Sequence, residues 1–159
     1  MSGDGTSLII ISGYNFDHED QTLPSTQNMA TKGPQKEEIF PSHSRLSAAV
    51  TLGNGTVVVT GGRGSEKQVW MSLTTSSLKW GKRHDMMEGR KGHAAAAVSL
   101  DNLEVMIVAG GWGFKGKELD SVHLYNTQLD KWSTLPRMMA PRVDFSLQVQ
   151  YWFLKDSST

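Results

Sequence analysis

Apolar positions along this chain fall in short runs set off by glycine, asparagine and charged residues, and no stretch of ten carries clean helical periodicity. The pattern predicts strands and turns throughout, and therefore an all-β chain. The best-defined pair is 46–52 followed by 56–60, joined by Gly53-Asn54-Gly55, where Asn-Gly supplies the positive φ angles of a tight hairpin. The same succession returns at 94–100 and 105–109, with Asp101-Asn102 as the turn. Four alanines, Ala94 to Ala97, make the first of these strands weak by propensity. A helix over 94–98 is the competing expectation, which only packing against neighbours can override.

Both hairpins end in a glycine pair, Gly61-Gly62 and Gly110-Gly111, 49 residues apart. A polar loop follows (63–67 or 112–117), then a third strand (69–73 or 122–125) and a fourth at Trp80 or Trp132. Met86-Met87 and Arg90 come next in one unit, Met138-Met139 and Arg142 in the other. These later landmarks repeat at 52, so an insertion of three separates otherwise collinear units. A period near 50 marks a repeat array, in which each unit buries its faces only against its neighbours. The third strand has two registers: counted back from the tryptophans Tyr125 aligns with Leu73, but Val122 and Leu124 resemble Val69 and Met71. A slip of one exchanges its two faces.

The ends are less regular. Residues 7–13 lie 49 before 56–62 and read as another second strand, but no tryptophan follows. Residues 17–38, rich in Gln, Lys, Glu, Thr and Pro, are expected to form a loop or a partly disordered insertion. Residues 142–149 resemble a first strand, after which the glycine-ended strand is missing. The organisation expected is a degenerate partial unit with a polar loop (1–41), two full units (42–89 and 90–141), and the first strand of a further unit with a tail (142–159).

A strand ending in Gly-Gly, a strand carrying Tyr, a Trp seven residues on, then Pro-Met-like residues and an Arg: this order resembles the kelch repeat. The match is best from Leu124-Tyr125-Asn126 to Pro136-Arg137-Met138, and next best at Arg90-Lys91-Gly92-His93. It covers residues 42–150 well and 7–41 poorly. The resemblance implies a kelch-type β-propeller segment with two complete four-stranded blades and incomplete blades at both ends. Glycine pairs then permit sharp backbone exits, and tryptophans fill the wedges between sheets. It also implies that Arg45, Arg90 and Arg142, each opening a unit, point into a central pocket and grip an acidic peptide, with His93 on the same rim. A guanidinium suits this because it stays charged and offers a fork of donors. Tying down a neighbouring loop is the competing role for each arginine.

Composition narrows the function. Sixteen basic residues balance sixteen acidic ones, so there is no net field for nucleic acid or an anionic membrane. No apolar run approaches the ~20 residues of a membrane span, and the chain reads as cytoplasmic. The absence of cysteine excludes disulfides, thiolate metal sites and the crosslinked copper site of kelch-type oxidases. Asp17-His18-Glu19-Asp20 has no recognised ligand spacing and reads as a solvated acidic loop, while Asn54-Gly55-Thr56 reads as a turn rather than a glycosylation acceptor. Met86-Met87 and Met138-Met139 are expected at blade junctions. No cofactor or metal is expected.

The leading function is a protein-interaction module, at most the substrate-recognition part of a ubiquitin-ligase adaptor. The alternatives are a kelch-type enzyme such as a sugar epimerase or mutarotase, and a truncated propeller fragment without function. Two complete units fall short of the four to eight blades of a closed ring. Open blade edges therefore predict self-association, and two copies would together supply six blades.

Overall fold

The computed structural model describes residues 7–10, 25–28, 45–72, 80–100 and 103–150. Strands β1 (Ser7–Ile10) and β2 (Ser25–Asn28) form a two-stranded ladder. Strands β3 (Ala48–Thr51), β4 (Val57–Thr60), β5 (Val69–Ser72) and β6 (Trp80–Lys82) form one four-stranded antiparallel sheet. Strands β7 (Ala94–Leu100), β8 (Leu103–Ala109), β9 (Val122–Asn126) and β10 (Lys131–Leu135) form a second, in the same up-and-down order. Helix is confined, among the described residues, to one 3-10 turn at Phe114–Gly116. None there is long and apolar enough to cross a membrane. The architecture is all-β, as the pattern predicts.

The β3–β4 connection differs in detail from a two-residue hairpin. Thr51 faces Val57, Leu52 N–H donates to Thr56 O (2.8 Å), and Gly55 N–H donates to Leu52 O (2.9 Å). Gly55 alone takes a positive φ, 82°. Asn54 acts through its side chain instead, Oδ1 accepting the Thr56 N–H at 2.9 Å. The loop is a three-residue turn closed by a left-handed glycine.

Strand β7 forms despite its alanines, and packing explains it. All seven of its residues pair with β8, from Ala94 opposite Ala109 to Leu100 opposite Leu103. Ala95 and Ala97 lie against the main core, where small side chains let the sheets converge. The turn residues Asp101-Asn102, like Asp17-His18-Glu19-Asp20, lie outside the described residues.

Pairing also settles the third strand. Thr60 faces Val69 and Ala109 faces Val122, so Val122 matches Val69, Leu124 matches Met71, and Tyr125 takes the place of Ser72. The β4–β5 loop is thus four residues shorter than the β8–β9 loop, and one residue is recovered before the tryptophan. Ser72 and Tyr125 are both buried and both spend their hydroxyls: Ser72 Oγ accepts from Val57 N–H (2.9 Å), and Tyr125 donates to Asp130 (2.6 Å).

At the N-terminus β1 confirms a strand within 7–13, but the segment expected to be a loop contributes β2, with Ser7 opposite Asn28 and Ile10 opposite Ser25. Ser-Thr-Gln-Asn has no apolar side chain, so no alternation announces this strand; backbone pairing to β1 makes it. The rest of 17–38 lies outside the described residues.

The core sits between the two sheets. Leu52, Val58, Val69 and Met86 meet Met106, Val108 and Tyr125, all at most 3% exposed. Each such side chain contributes about 1.5–3 kcal/mol of transfer free energy. On the other face of the first sheet Val57 and Val59 lie under Trp70 and Trp80. Trp132 packs on the main core and reaches back across the junction, donating its Nε1–H to His84 O (3.1 Å). Asp130 completes the clamp by accepting His84 N–H (2.9 Å). Of each methionine pair only the first lies at a junction: Met86 and Met138 end against Gly61 and Gly110, while Met87 and Met139 are exposed.

A thread of left-handed residues links successive units. Leu46 (φ 61°), Gly92 (58°) and Asp144 (50°) occupy equivalent places. Gly92 N–H donates to Leu46 O (2.8 Å), and Asp144 N–H donates to Gly92 O (2.9 Å). Leucine pays a Cβ penalty of about 1–2 kcal/mol in this conformation. Leu46→Gly is therefore expected to stabilise the fold by about 0.5–1 kcal/mol after the entropy of glycine is subtracted. A urea midpoint that stays put or falls would show that packing of the exposed leucine outweighs the strain. Beyond Asp144 the chain runs extended with Phe145, Leu147 and Val149 half-buried and Ser146, Gln148 and Gln150 exposed, and with no strand partner among the described residues.

Candidate partner-binding face

The loops after β4, β6, β8 and β10 converge at one end of the sheets. Arg90 N–H donates to Glu66 O (2.8 Å), Met86 N–H to Lys67 O (2.8 Å), Met138 N–H to Asp120 O (2.8 Å), and Arg142 N–H to Leu119 O (3.2 Å). The glycine pairs make this approach possible. Gly61 and Gly110 have φ near 60°, and a Cβ on either would collide with the carbonyl of Arg90 or Arg142 respectively.

Arg90, expected to face a central pocket, is fully buried. Its Nη1 donates to Gly110 O (2.9 Å) and Ser121 O (3.3 Å), and its Nη2 donates to Ser121 Oγ (3.0 Å) and His123 Nδ1 (3.2 Å). A guanidinium has no acceptor, so His123 carries its proton on Nε2. Glu88 supplies the counter-charge at 3.4 Å and also accepts from Ser121 Oγ (2.5 Å). Burial draws the guanidinium pKa below its ordinary value and Glu88 draws it back. Burial also lowers the pKa of His123, with Arg90 acting in the same direction. The fork of donors thus ties together the ends of β8 and β9 inside one sheet, adding to the single backbone bond from Gly110 N–H to Ser121 O (3.1 Å) there.

His93 is also interior, at 6% exposure. Its Nε2 lies 2.8 Å from Thr60 Oγ1, and its Nδ1 is buried without a partner. Burial first, then the Arg90 charge, push its pKa down to about 3. It joins the two sheets as a neutral side chain rather than lining a rim.

The remaining arginines differ from each other. Arg63 N–H donates to Arg45 O, as Trp112 N–H donates to Lys91 O, so Arg45 stands in the place of Lys91 and not of Arg90. In the first unit Trp70 Nε1 donates to Gln68 Oε1 (3.0 Å) at the positions equivalent to His123 and Ser121. Arg45 is half-buried. Arg142 is the true counterpart of Arg90: Gly62 N–H donates to Arg90 O and Gly111 N–H to Arg142 O. Its side chain is exposed.

One feature of this face escapes the sequence reading. A groove of about 760 Å³ opens between the loops that follow β4, β6 and β8, with Lys67, Lys91 and Lys115 around Met87 and Phe114. Phe114 is 83% exposed, and Lys115 Nζ stands 5.5 Å from its ring centre. An isolated phenylalanine among Gly and Lys in 112–117 was the signal available. Among the described residues no cluster of three or more His, Asp or Glu side chains could hold a metal.

Two four-stranded meanders that share a core and have glycine-pinned loops fit the blades of a propeller-type repeat. The Kelch motif family matches residues 89–139, which span the whole second sheet. A stretch of 39 residues is 51% identical to the F-box/kelch-repeat protein SKIP11 of Arabidopsis thaliana, covering 24% of this chain and 8% of that protein. Residues 89–139 thus carry a Kelch motif, and the two antiparallel four-stranded sheets are consistent with a partial kelch β-propeller.

Proposed function

We propose that this chain is a protein-interaction module whose loop face binds a protein or peptide partner, and that it works by binding rather than by catalysis. Kelch repeats generally serve protein–protein interaction. The observation that carries the reading is Arg142: it has the same place in its unit as Arg90, yet its guanidinium reaches solvent beside the β8–β9 loop. Arg142 and Arg45 are the cations offered to an acidic peptide. Arg90 and His93 serve the same end indirectly, by fixing the loops that present them. The balanced net charge favours a protein partner over nucleic acid.

The Arabidopsis relative is named for an F-box together with kelch repeats. Such a pairing suits a chain whose kelch part recognises the substrate of a ubiquitin-ligase adaptor. Capture of partners from a cell extract on the immobilised protein tests the reading. Arg142→Ala is expected to weaken capture at least fivefold while leaving the unfolding midpoint unchanged, since exposed substitutions rarely cost more than about 0.5 kcal/mol. Equal capture by the variant overturns the role of Arg142.

A further inference from the structure

We infer that the groove between the loops following β4, β6 and β8 is a docking site for a short acidic peptide that also carries a large apolar side chain. The inference deepens the partner-binding reading above and rests on it, but it concerns residues other than the arginines. Charge is the first argument. Glu88 is already matched by buried Arg90, and Glu66 accepts from Gly64 N–H at 3.2 Å. Lys67, Lys91 and Lys115 make no ion pair among the described residues, so the groove keeps an excess of positive charge. Lysines at the rim of a cleft with low-dielectric walls attract carboxylates and hold them as point charges.

Apolar surface is the second argument. Met87 is 54% exposed and Phe114 83% exposed, both on the lining of one concave space. Methionine adapts to varied apolar shapes, and an exposed aromatic ring offers a large contact area with few rotamers to freeze. A volume of about 760 Å³ falls in the range of genuine ligand clefts. The combination selects against the other occupants. A purely acidic segment would leave the Phe114 ring unused, and a purely apolar one would strip water from three ammonium groups without replacement.

Phe114 and Lys115 sit on the 3-10 turn, outside both sheets, and both are exposed, so they can be changed without touching the core. The probe is a fluorescein-labelled peptide of sequence Gly-Asp-Trp-Glu-Gly, followed by polarisation against the whole chain. The expected result is saturable binding that weakens at least tenfold in the amide analogue Gly-Asn-Trp-Gln-Gly and in Gly-Asp-Ala-Glu-Gly. Phe114→Ser and Lys115→Glu are each expected to cost at least fivefold, and 0.5 M salt to weaken the acidic probe selectively. Lys131→Ala, an exposed cation on β10 outside the groove lining, is expected to leave this binding within twofold. Failure of the probe to bind at millimolar protein, or equal binding by the groove variants, overturns the inference. Loss of partner capture in Arg142→Ala with full capture in Phe114→Ser would sink the groove while the broader reading stands.

Discussion

Arg90→Ala is expected to destabilise the chain by about 3–5 kcal/mol, a large share of what a domain of this size possesses. The guanidinium is fully buried, and its removal leaves Gly110 O and His123 Nδ1 facing a cavity without this donor, while Ser121 O keeps only the Gly110 N–H. Each stranded acceptor costs about 1–3 kcal/mol where water cannot reach it. Arg90→Lys keeps the charge but cannot span the carbonyls of two strands at once, so it is expected to recover less than half of the loss. Glu88→Gln should cost less, about 1–2 kcal/mol, because that carboxylate is partly exposed and water shares its work. Urea unfolding of the four proteins gives the ranking. If Arg90→Ala unfolds within about 1 kcal/mol of the parent, the fork does not hold β8 to β9.

This arginine also shows how far the sequence could be read. The blades were legible because strand alternation, the Gly-Gly exits and the tryptophans are local signals, each tied to one backbone conformation or one wedge to be filled. Whether Arg90 faces solvent or carbonyls is not local. It depends on Ser121 and His123, more than thirty residues away, and on the register of β9, which differs by one residue between the two readings the sequence allowed. Arg45 was misplaced by length instead: it matches Lys91, but lies 16 positions before Gly61 where Lys91 lies 19 before Gly110. Strand β2 was invisible for the opposite reason: Ser25-Thr26-Gln27-Asn28 contains no apolar residue, so no alternation in the sequence announces its pairing with β1. The groove was missed because three loops build it, and no one of them carries a motif.

Acid is expected to unfold this protein well before its carboxylates titrate, with His93 as the main cause. In the unfolded chain its imidazole has a pKa near 6.5, and in the fold burial and the Arg90 charge hold it at about 3. Between those values the unfolded chain binds a proton that the folded one refuses, so stability is complete above pH 6.5 and falls as pH drops. The slope approaches about 1.4 kcal/mol per pH unit, or about 2–3 kcal/mol lost by pH 4.5. Protonation would also create a second N–H at Nδ1, which has no acceptor. His123 adds in the same direction, whereas Asp130, whose carboxyl lies below its ordinary value, contributes stability that is lost only in stronger acid. Burial alone would raise Asp130, but the Tyr125 hydroxyl and the His84 N–H outweigh it. The repeat itself supplies the control. Phe145 occupies the place of His93 in the next unit, its ring against Gly110 as His93 lies against Gly61, and Ala109 occupies the place of Thr60. Transplanting both, as His93→Phe with Thr60→Ala, removes the titrating ring without stranding the Thr60 hydroxyl. Urea midpoints from pH 7.5 to 4.5 should then decline by about one proton less than in the parent. A parallel decline in the two proteins would assign the acid lability elsewhere, to His123 and the Arg90 network that surrounds it.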